Sequence, residues 1–137
     1  MTYIALDTET TGLPSKRTKD FTQLDVFENC RVVSVAVVLY DENDKELAHF
    51  HDLIKPEGYS EMPGDSFKVH GISYEKAQTE GKPFSEVWKK VEALFLARPI
   101  IVGHNIGFDT TALLSEAHRR GFNTGCALSL IHISEPT

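Results

Sequence analysis

Residues 4–13 read IALDTETTGL, a strand-like stretch that carries two acids at its end. Alternate side chains of a strand share a face, so Asp7 and Glu9 lie together and the apolar side chains lie opposite. Their α-carbons are expected about 6.6 Å apart, at a rise of about 3.3 Å per residue. Such carboxylates repel each other, and no Lys or Arg flanks them in the sequence. A divalent cation that prefers oxygen ligands, Mg²⁺ or Mn²⁺, would compensate them; the alternative is a strand end at which both acids reach solvent.

The rest of the chain indicates one α/β domain, with helices packed on a single sheet. Runs of β-branched and apolar residues predict strands, and apolar residues at helical spacing predict helices. Strands are predicted over 2–10, 31–40, 47–54 and 99–105, long helices over 83–97 and 106–120, and a short helix around 73–79. A turn at 41–46 makes the third strand antiparallel to the second.

Composition and charge restrict the class of protein. The 137 residues are 41% hydrophobic and 25% charged, which is typical of one globular domain. A net charge of −6 argues against binding nucleic acid through bulk electrostatics, but it leaves open a nuclease whose carboxylates bind cations. Cys30 and Cys126 lie far apart, and no apolar run is long enough to cross a membrane. We therefore expect a cytoplasmic protein without a disulfide or a membrane partner.

A basic cluster, SKRTK at 15–19, stands out in this acidic chain. Lys16, Arg17 and Lys19 follow directly after the Gly-Leu-Pro turn. The plainest interpretation is a solvated loop, and the alternative is a loop that contacts phosphate.

A further acid follows the fourth predicted strand, in VGHNIGFD at 102–109. The strand ends near Asn105, and Asp109 occupies the first turn of the next helix. If this strand runs parallel beside the first, its carboxyl end lies next to Asp7 and Glu9, where open α/β sheets place their sites. Asp109 then becomes a third carboxylate at the same point. Taken alone, it is more commonly an acid favoured by a helix N-terminus.

These stretches together resemble a known family. DTETTGL at 7–13 and HNIGFD at 104–109 are similar to the first two motifs of the DnaQ-like DEDD 3′–5′ exonucleases, a group that includes the proofreading epsilon subunit of bacterial DNA polymerase III. VHGIS at 69–73 is similar to the His-Gly-Ile segment between those motifs. The matches keep their order over residues 2–122. The resemblance implies an RNase H-like mixed sheet with flanking helices.

The same resemblance implies roles for individual residues, in a hydrolysis that uses two Mg²⁺ or Mn²⁺ ions. The catalytic residues and metal ligands would be Asp7, Glu9 and Asp109. The pocket for the terminal nucleotide would be lined by Thr10, Thr11, Gly12 and Leu13, with His70 and Asn105 as further substrate contacts. Gly12 would let the backbone approach the nucleotide, and Leu13 would press on the terminal base.

The implied activity is hydrolysis at DNA 3′ ends with release of nucleoside monophosphates. Single-stranded DNA would be the main partner, and a DNA polymerase a further one. An RNA exonuclease of the RNase T or oligoribonuclease type shares this chemistry, and a non-catalytic nucleic-acid-binding module shares the fold. Both alternatives stay open at this point.

The family's third motif, His-x-x-x-x-Asp, is missing after residue 109. The later histidines are His118 and His132, and His118 has no Asp five places on. Residues 128–137, LSLIHISEPT, match the translation of a transposon-end adapter used in DNA library preparation. We therefore expect a partial exonuclease domain over 1–127 and a non-native tail over 128–137. The last strand and helices, the general base and the fourth carboxylate would be missing, and the fragment would have little or no activity.

Overall fold

The computed structural model describes residues 2–127 of the chain. In chain order its elements are β1 (Tyr3–Thr10), β2 (Val32–Tyr40), β3 (Glu46–Leu53), α1 (Gly64–His70), α2 (Tyr74–Glu80), α3 (Phe84–Leu96), β4 (Ile100–Val102) and α4 (Ile106–Arg119). The predicted strands and long helices are confirmed, and α2 corresponds to the predicted short helix, but the fourth strand ends at Val102 and not near Asn105. The tail over 128–137 lies outside the described residues. Within residues 2–127, no helix combines the length and apolar character needed to cross a bilayer.

The sheet has the strand order β3-β2-β1-β4. β3 is antiparallel to β2, as the sequence predicted, and β1 is antiparallel to β2 as well. β4 is parallel to β1, the arrangement on which the placement of Asp109 was made conditional. β2 is rich in β-branched residues, which suits a strand that is paired on both sides. The last pair of β4 joins Val102 to Ala5, so β1 continues well beyond the end of its parallel neighbour.

One face of the sheet carries the main apolar core. Alternation along β1 buries Ile4 and Leu6, and the same face of β2 contributes Val35 and Val37. Helix α3 adds its predicted apolar stripe: Phe84, Val87, Trp88, Val91 and Phe95. Helix α4 packs against β1 and β2 and is buried along most of its length. The core thus fixes the position of α4 relative to the end of β1.

The segment with α1 and α2 attaches where β2 begins and β3 ends. A small apolar cluster joins Ile72 and Ala77 to Val33. Gly71, at a φ of 71°, ends α1 in the left-handed conformation that glycine adopts without strain. The sequence did not predict α1, because none of its residues is buried and it therefore has no apolar stripe.

Candidate active site

Strand register places the two acids of β1 on an open face of the sheet. Asp7 pairs with Ala36 of β2, which in turn pairs with His51 of β3. Glu9 pairs with Ser34. Directly paired residues share a face, so the two acids have small side chains beside them instead of a packed core. The predicted alternation of β1 is confirmed, with Asp7 exposed.

These paired residues line a cavity of about 280 Å³, which we call the acid cleft. His70 from the end of α1 and Lys76 from α2 line it as well. The sequence had indicated Asp7, Glu9 and His70 as site residues, and the structure places all three here. Nothing in the sequence analysis had pointed to His51 or Lys76.

The turn between β2 and β3 would not by itself have found His51. The Asp41 N–H donates to the Lys45 carbonyl at 2.9 Å, which closes this turn. Regular counting back from it would pair Ala36 with Phe50, but a register shift between Leu39 and Tyr40 pairs Ala36 with His51 instead. The position of Lys76 had no local signal either, because it depends on how α2 packs on the sheet.

The acids of the cleft are poorly compensated. Burial raises the pKa of Glu9, and the charge of Asp7 raises it further. His70 and His51 act on the pKa of Glu9 in the opposite direction, with smaller effect. Within residues 2–127, neither acid forms an ion pair with a Lys or Arg.

Asp109 lies beside β1, in the first turn of α4 and only 5% exposed. The Thr8 hydroxyl donates to its Oδ1 at 2.7 Å, and the Thr8 N–H donates to the same atom at 3.3 Å. Oδ2 accepts no hydrogen bond from the described residues. Because β4 ends opposite Ala5, this part of β1 is open to α4. The parallel pairing of β4 and β1 therefore brings Asp109 next to the strand that carries Asp7 and Glu9.

The surroundings of Asp109 raise its pKa to about 6. Burial is the largest cause, and the charges of Asp7 and Glu9 act in the same direction, against the hydrogen bonds from Thr8. The three carboxylates are thus close enough to repel one another. Even so, the part of the chain that the structure describes contains no group of three His, Cys, Asp or Glu side chains gathered closely enough to hold a metal ion. The donor chemistry fits a hard divalent cation, while the Asp109 carboxylate is turned towards Thr8.

The loop that follows β1 is held by its own threonines. The Thr10 hydroxyl donates to the Gly12 carbonyl at 2.8 Å. The Thr11 hydroxyl donates to the Asn29 carbonyl at 3.1 Å and accepts from the Arg31 N–H at 2.9 Å. Thr11 is buried, so its hydroxyl shapes the loop. The predicted substrate contacts of Thr10 and Thr11 stay predictions.

Close approach of a neighbouring backbone segment explains why residue 12 is a glycine. A Cβ at this position would lie 2.7 Å from the Asn29 carbonyl oxygen, closer than real Cβ atoms approach. The structure therefore gives glycine a packing reason here, in addition to the predicted approach to a nucleotide. Leu13 follows with 79% of its surface exposed, which leaves it available to a ligand.

His70 and Asn105 present free polar groups. The Ile72 N–H donates to His70 Nδ1 at 3.0 Å, so the neutral ring carries its proton on Nε2. That buried Nε2 has no hydrogen-bond partner among the described residues. Asn105 is the exposed N-cap of α4, and its side chain makes no capping hydrogen bond. Asn105 and Leu13 line a second cleft rather than the acid cleft.

Comparison with known proteins identifies the family. The family model RNase_T, described as Exonuclease, matches residues 4–125, which is most of the chain. The chain therefore belongs to this exonuclease family. No curated protein sequence matches it. The predicted resemblance to exonucleases is confirmed, and the finer assignment to the DnaQ-like group stays a prediction.

Solved structures of exonuclease I share the fold. The complex of E. coli exonuclease I with a dT13 oligonucleotide has a TM-score of 0.73 and 19% identity, over 98% of this chain and 27% of that chain. A product-bound structure of exonuclease I has a TM-score of 0.74 and 19% identity, over 98% of this chain and 29% of that chain. The zinc-bound complex of E. coli exonuclease I with single-stranded DNA has a TM-score of 0.74 and 19% identity, over 98% of this chain and 27% of that chain. The chain spans less than a third of these proteins, and the likeness confirms the RNase H-like fold.

Proposed function

We propose that this domain is a metal-dependent 3′–5′ exonuclease that shortens DNA from its 3′ end and releases nucleoside monophosphates. One observation carries the proposal. Asp7 and Glu9 raise the pKa of Asp109, and no Lys or Arg within residues 2–127 forms an ion pair with any of the three. Uncompensated carboxylates of this kind are typical of a site that binds divalent cations.

Asp7, Glu9 and Asp109 would hold two Mg²⁺ or Mn²⁺ ions. Their oxygen donors suit these cations, and the positive charge would relieve the repulsion among the acids. When bound, the two ions supply an activated water and stabilise charge on the leaving 3′-oxygen. Thr8 fixes Asp109 through Oδ1 and leaves Oδ2 for a ligand.

Other side chains would position the strand. Leu13 would contact the terminal base, since an enzyme indifferent to sequence depends on apolar contact more than on base-specific hydrogen bonds. The Nε2–H of His70 would donate to a phosphate oxygen at the acid cleft, and its tautomer is already fixed by Ile72. The amide of Asn105 would contact the same strand from the start of α4.

Single-stranded DNA is the substrate we propose. Exonuclease I, which has the same fold, is bound to dT13 in one structure and to single-stranded DNA in another. RNA offers the same phosphodiester chemistry and is the competing substrate. A proofreading role beside a DNA polymerase and a cytoplasmic location extend this proposal.

The test follows 5′-labelled oligo(dT) and oligo(U) on a sequencing gel. In Mn²⁺ we expect slow shortening of oligo(dT) from its 3′ end, because the sequence has no third motif, and none in EDTA. Asp7→Asn and Asp109→Asn should abolish the shortening. Leu13→Ala should slow it while changing the free energy of unfolding by at most about 0.5 kcal/mol, as expected for an exposed side chain.

Calorimetric titration with Mn²⁺ provides a readout that does not depend on turnover. We expect binding to the wild-type chain and weaker binding to Asp7→Asn. Faster shortening of oligo(U) would move the assignment to an RNA exonuclease. Binding of oligonucleotide without binding of Mn²⁺ would favour a non-catalytic module. Absence of both Mn²⁺ binding and shortening would overturn the proposal.

A further inference from the structure

The basic cluster of the sequence lines a second cleft, of about 790 Å³, which we call the basic cleft. One wall is the loop that follows β1, with Lys16, Arg17 and Lys19. The other wall is the first turn of α4, where Asn105 and Phe108 line the cleft. Neither the metal ligands nor the acid cleft account for these residues.

The three cations of the basic cleft are exposed and unpaired. In the part of the chain that the structure describes, none of Lys16, Arg17 and Lys19 takes part in an ion pair. The chain as a whole has a net charge of −6, so acidic partners are abundant elsewhere. Three adjacent cations left without them form a local positive surface that attracts an anion.

The loop that carries these cations is tied to the body of the domain. The Ser15 N–H donates to the Val26 carbonyl at 2.9 Å, and the buried ring of Phe27 lines the cleft behind it. The cations therefore stand on a backbone that is fixed at one end. Such a loop loses less conformational freedom when a ligand binds than an untethered loop does.

One short segment of the chain contributes to both clefts. Glu9 lines the acid cleft, and Leu13, four residues later, lines the basic cleft. Leu13 and the half-buried ring of Phe108 give the basic cleft apolar surface beside its charges. Cations that follow a backbone, together with apolar side chains that contact bases, are the combination that binds a single nucleic-acid strand.

We propose that the basic cleft binds the phosphodiester backbone of the single strand whose 3′ end lies in the acid cleft. Lys16, Arg17 and Lys19 contact successive phosphates upstream of the scissile bond. This inference rests on the proposed function for its choice of ligand. It adds a binding surface that holds the strand independently of the metal ligands.

The decisive experiment measures binding without metal. Fluorescence anisotropy of labelled oligo(dT) in EDTA, at several salt concentrations, compares the wild-type chain with Lys16→Gln/Arg17→Gln/Lys19→Gln. A matched control carries the same charge change at exposed lysines away from both clefts, as Lys45→Gln/Lys55→Gln/Lys89→Gln. Each lost phosphate contact lowers the slope of log K against log salt by about 0.7 for a single strand, so the cleft variant should lose about 2. The control should keep the wild-type slope.

A footprint on the wild-type chain guards against a variant that fails to fold. Oligo(dT) should protect Lys16 and Lys19 from acetylation and leave Lys45 and Lys55 reactive, as read by peptide mass spectrometry. Oligo(U) tests the same backbone chemistry in RNA, and inorganic phosphate should protect weakly or not at all. Equal loss of slope in both variants, or equal protection at all four lysines, would overturn the inference.

The binding measurement and the nuclease assay test the two proposals separately. Loss of shortening in Asp7→Asn with normal oligo(dT) binding in EDTA would support both proposals. Salt-dependent binding through Lys16, Arg17 and Lys19 without Mn²⁺ binding and without shortening would support the basic cleft and refute the nuclease. Shortening in Mn²⁺ with no effect of the cleft variant on binding would refute the basic cleft alone.

Discussion

Helix α4 carries two buried acids with opposite surroundings. Glu116 is 1% exposed, and both Arg31 and Arg120 donate to it at 2.7 Å. Burial acts to raise its pKa, but the hydrogen bonds and charges of the two arginines hold that pKa below its usual range. Asp109 is 5% exposed and forms no ion pair within residues 2–127, and the charges of two acids contribute to raising its pKa to about 6.

Glu116 is therefore a structural acid, whereas Asp109 has the surroundings of an acid in a binding site. The Val32 N–H also donates to Glu116, at 3.0 Å, so this carboxylate ties α4 to the start of β2. The charge of Asp109 is opposed by its neighbours and not neutralised, so ionisation of this carboxyl costs stability in the metal-free fold. A buried acid whose pKa is raised beside like charges indicates a binding site more than a structural role.

The largest change in stability should come from removing the charge of Glu116, which two arginines neutralise. Glu116→Gln keeps the shape of the side chain but leaves Arg31 and Arg120 buried without a counter-charge, and we expect a loss of about 3–5 kcal/mol in the free energy of unfolding. Urea unfolding measures it. The exposed Glu80→Gln serves as control and should change stability by about 0.5 kcal/mol or less. A loss below that of a typical surface substitution would mean that the arginines find other partners.

Adding a cation should have the next largest effect, because it supplies what the site acids lack. At a free Mn²⁺ concentration of about 100 times Kd, the wild-type chain should gain about 2.7 kcal/mol. Asp7→Asn should gain less at the same concentration, whereas Glu80→Gln should behave as the wild type. Thermal unfolding with and without Mn²⁺ measures both. An equal gain in all three proteins would place the cation elsewhere.

The loop between the two clefts should tolerate little change. In Gly12→Ala the new Cβ meets the Asn29 carbonyl oxygen, a backbone atom that moves only with its loop. We expect a loss of about 1–3 kcal/mol, as for overpacking in a core. Gly64→Ala is the control, since a Cβ there meets nothing within 4 Å. Equal stability of both variants would indicate that the loop of Asn29 shifts freely.

The pH dependence should distinguish the two acids by its sign. The pKa of Asp109 rises from 3.8 to about 6 on folding, so its contribution to stability is fully present below pH 3.8 and is lost as pH rises through 6. The pKa of Glu116 falls, so its contribution is present at neutral pH and is lost as the solution becomes acidic. Without metal, Asp109→Asn should therefore gain stability relative to the wild type as pH rises. Urea unfolding in EDTA across this range measures the difference between the two proteins, and a difference that does not change with pH would contradict the raised pKa.

Local patterns predicted much of the fold and part of the site. Alternation in residues 4–13 separated Asp7 and Glu9 from the buried residues, and the apolar stripe of α3 was correct. The short helix α1 and the position of Lys76 were missed, because both depend on packing between distant segments. That Thr11 lines the nucleotide pocket stays a prediction, and its hydrogen bonds to Asn29 and Arg31 could not be read from local spacing.

The sequence by itself determined which residues share a strand face, because side-chain direction in a strand repeats every two residues. It also determined the family, through motifs that are contiguous in the chain. Only the tertiary structure decided which acids are neutralised. Arg31, the partner of Glu116 just before β2, lies 85 residues away in the chain, and Asp109 meets Thr8 across 101 residues. Charge compensation depends on distance in space, which no local spacing encodes.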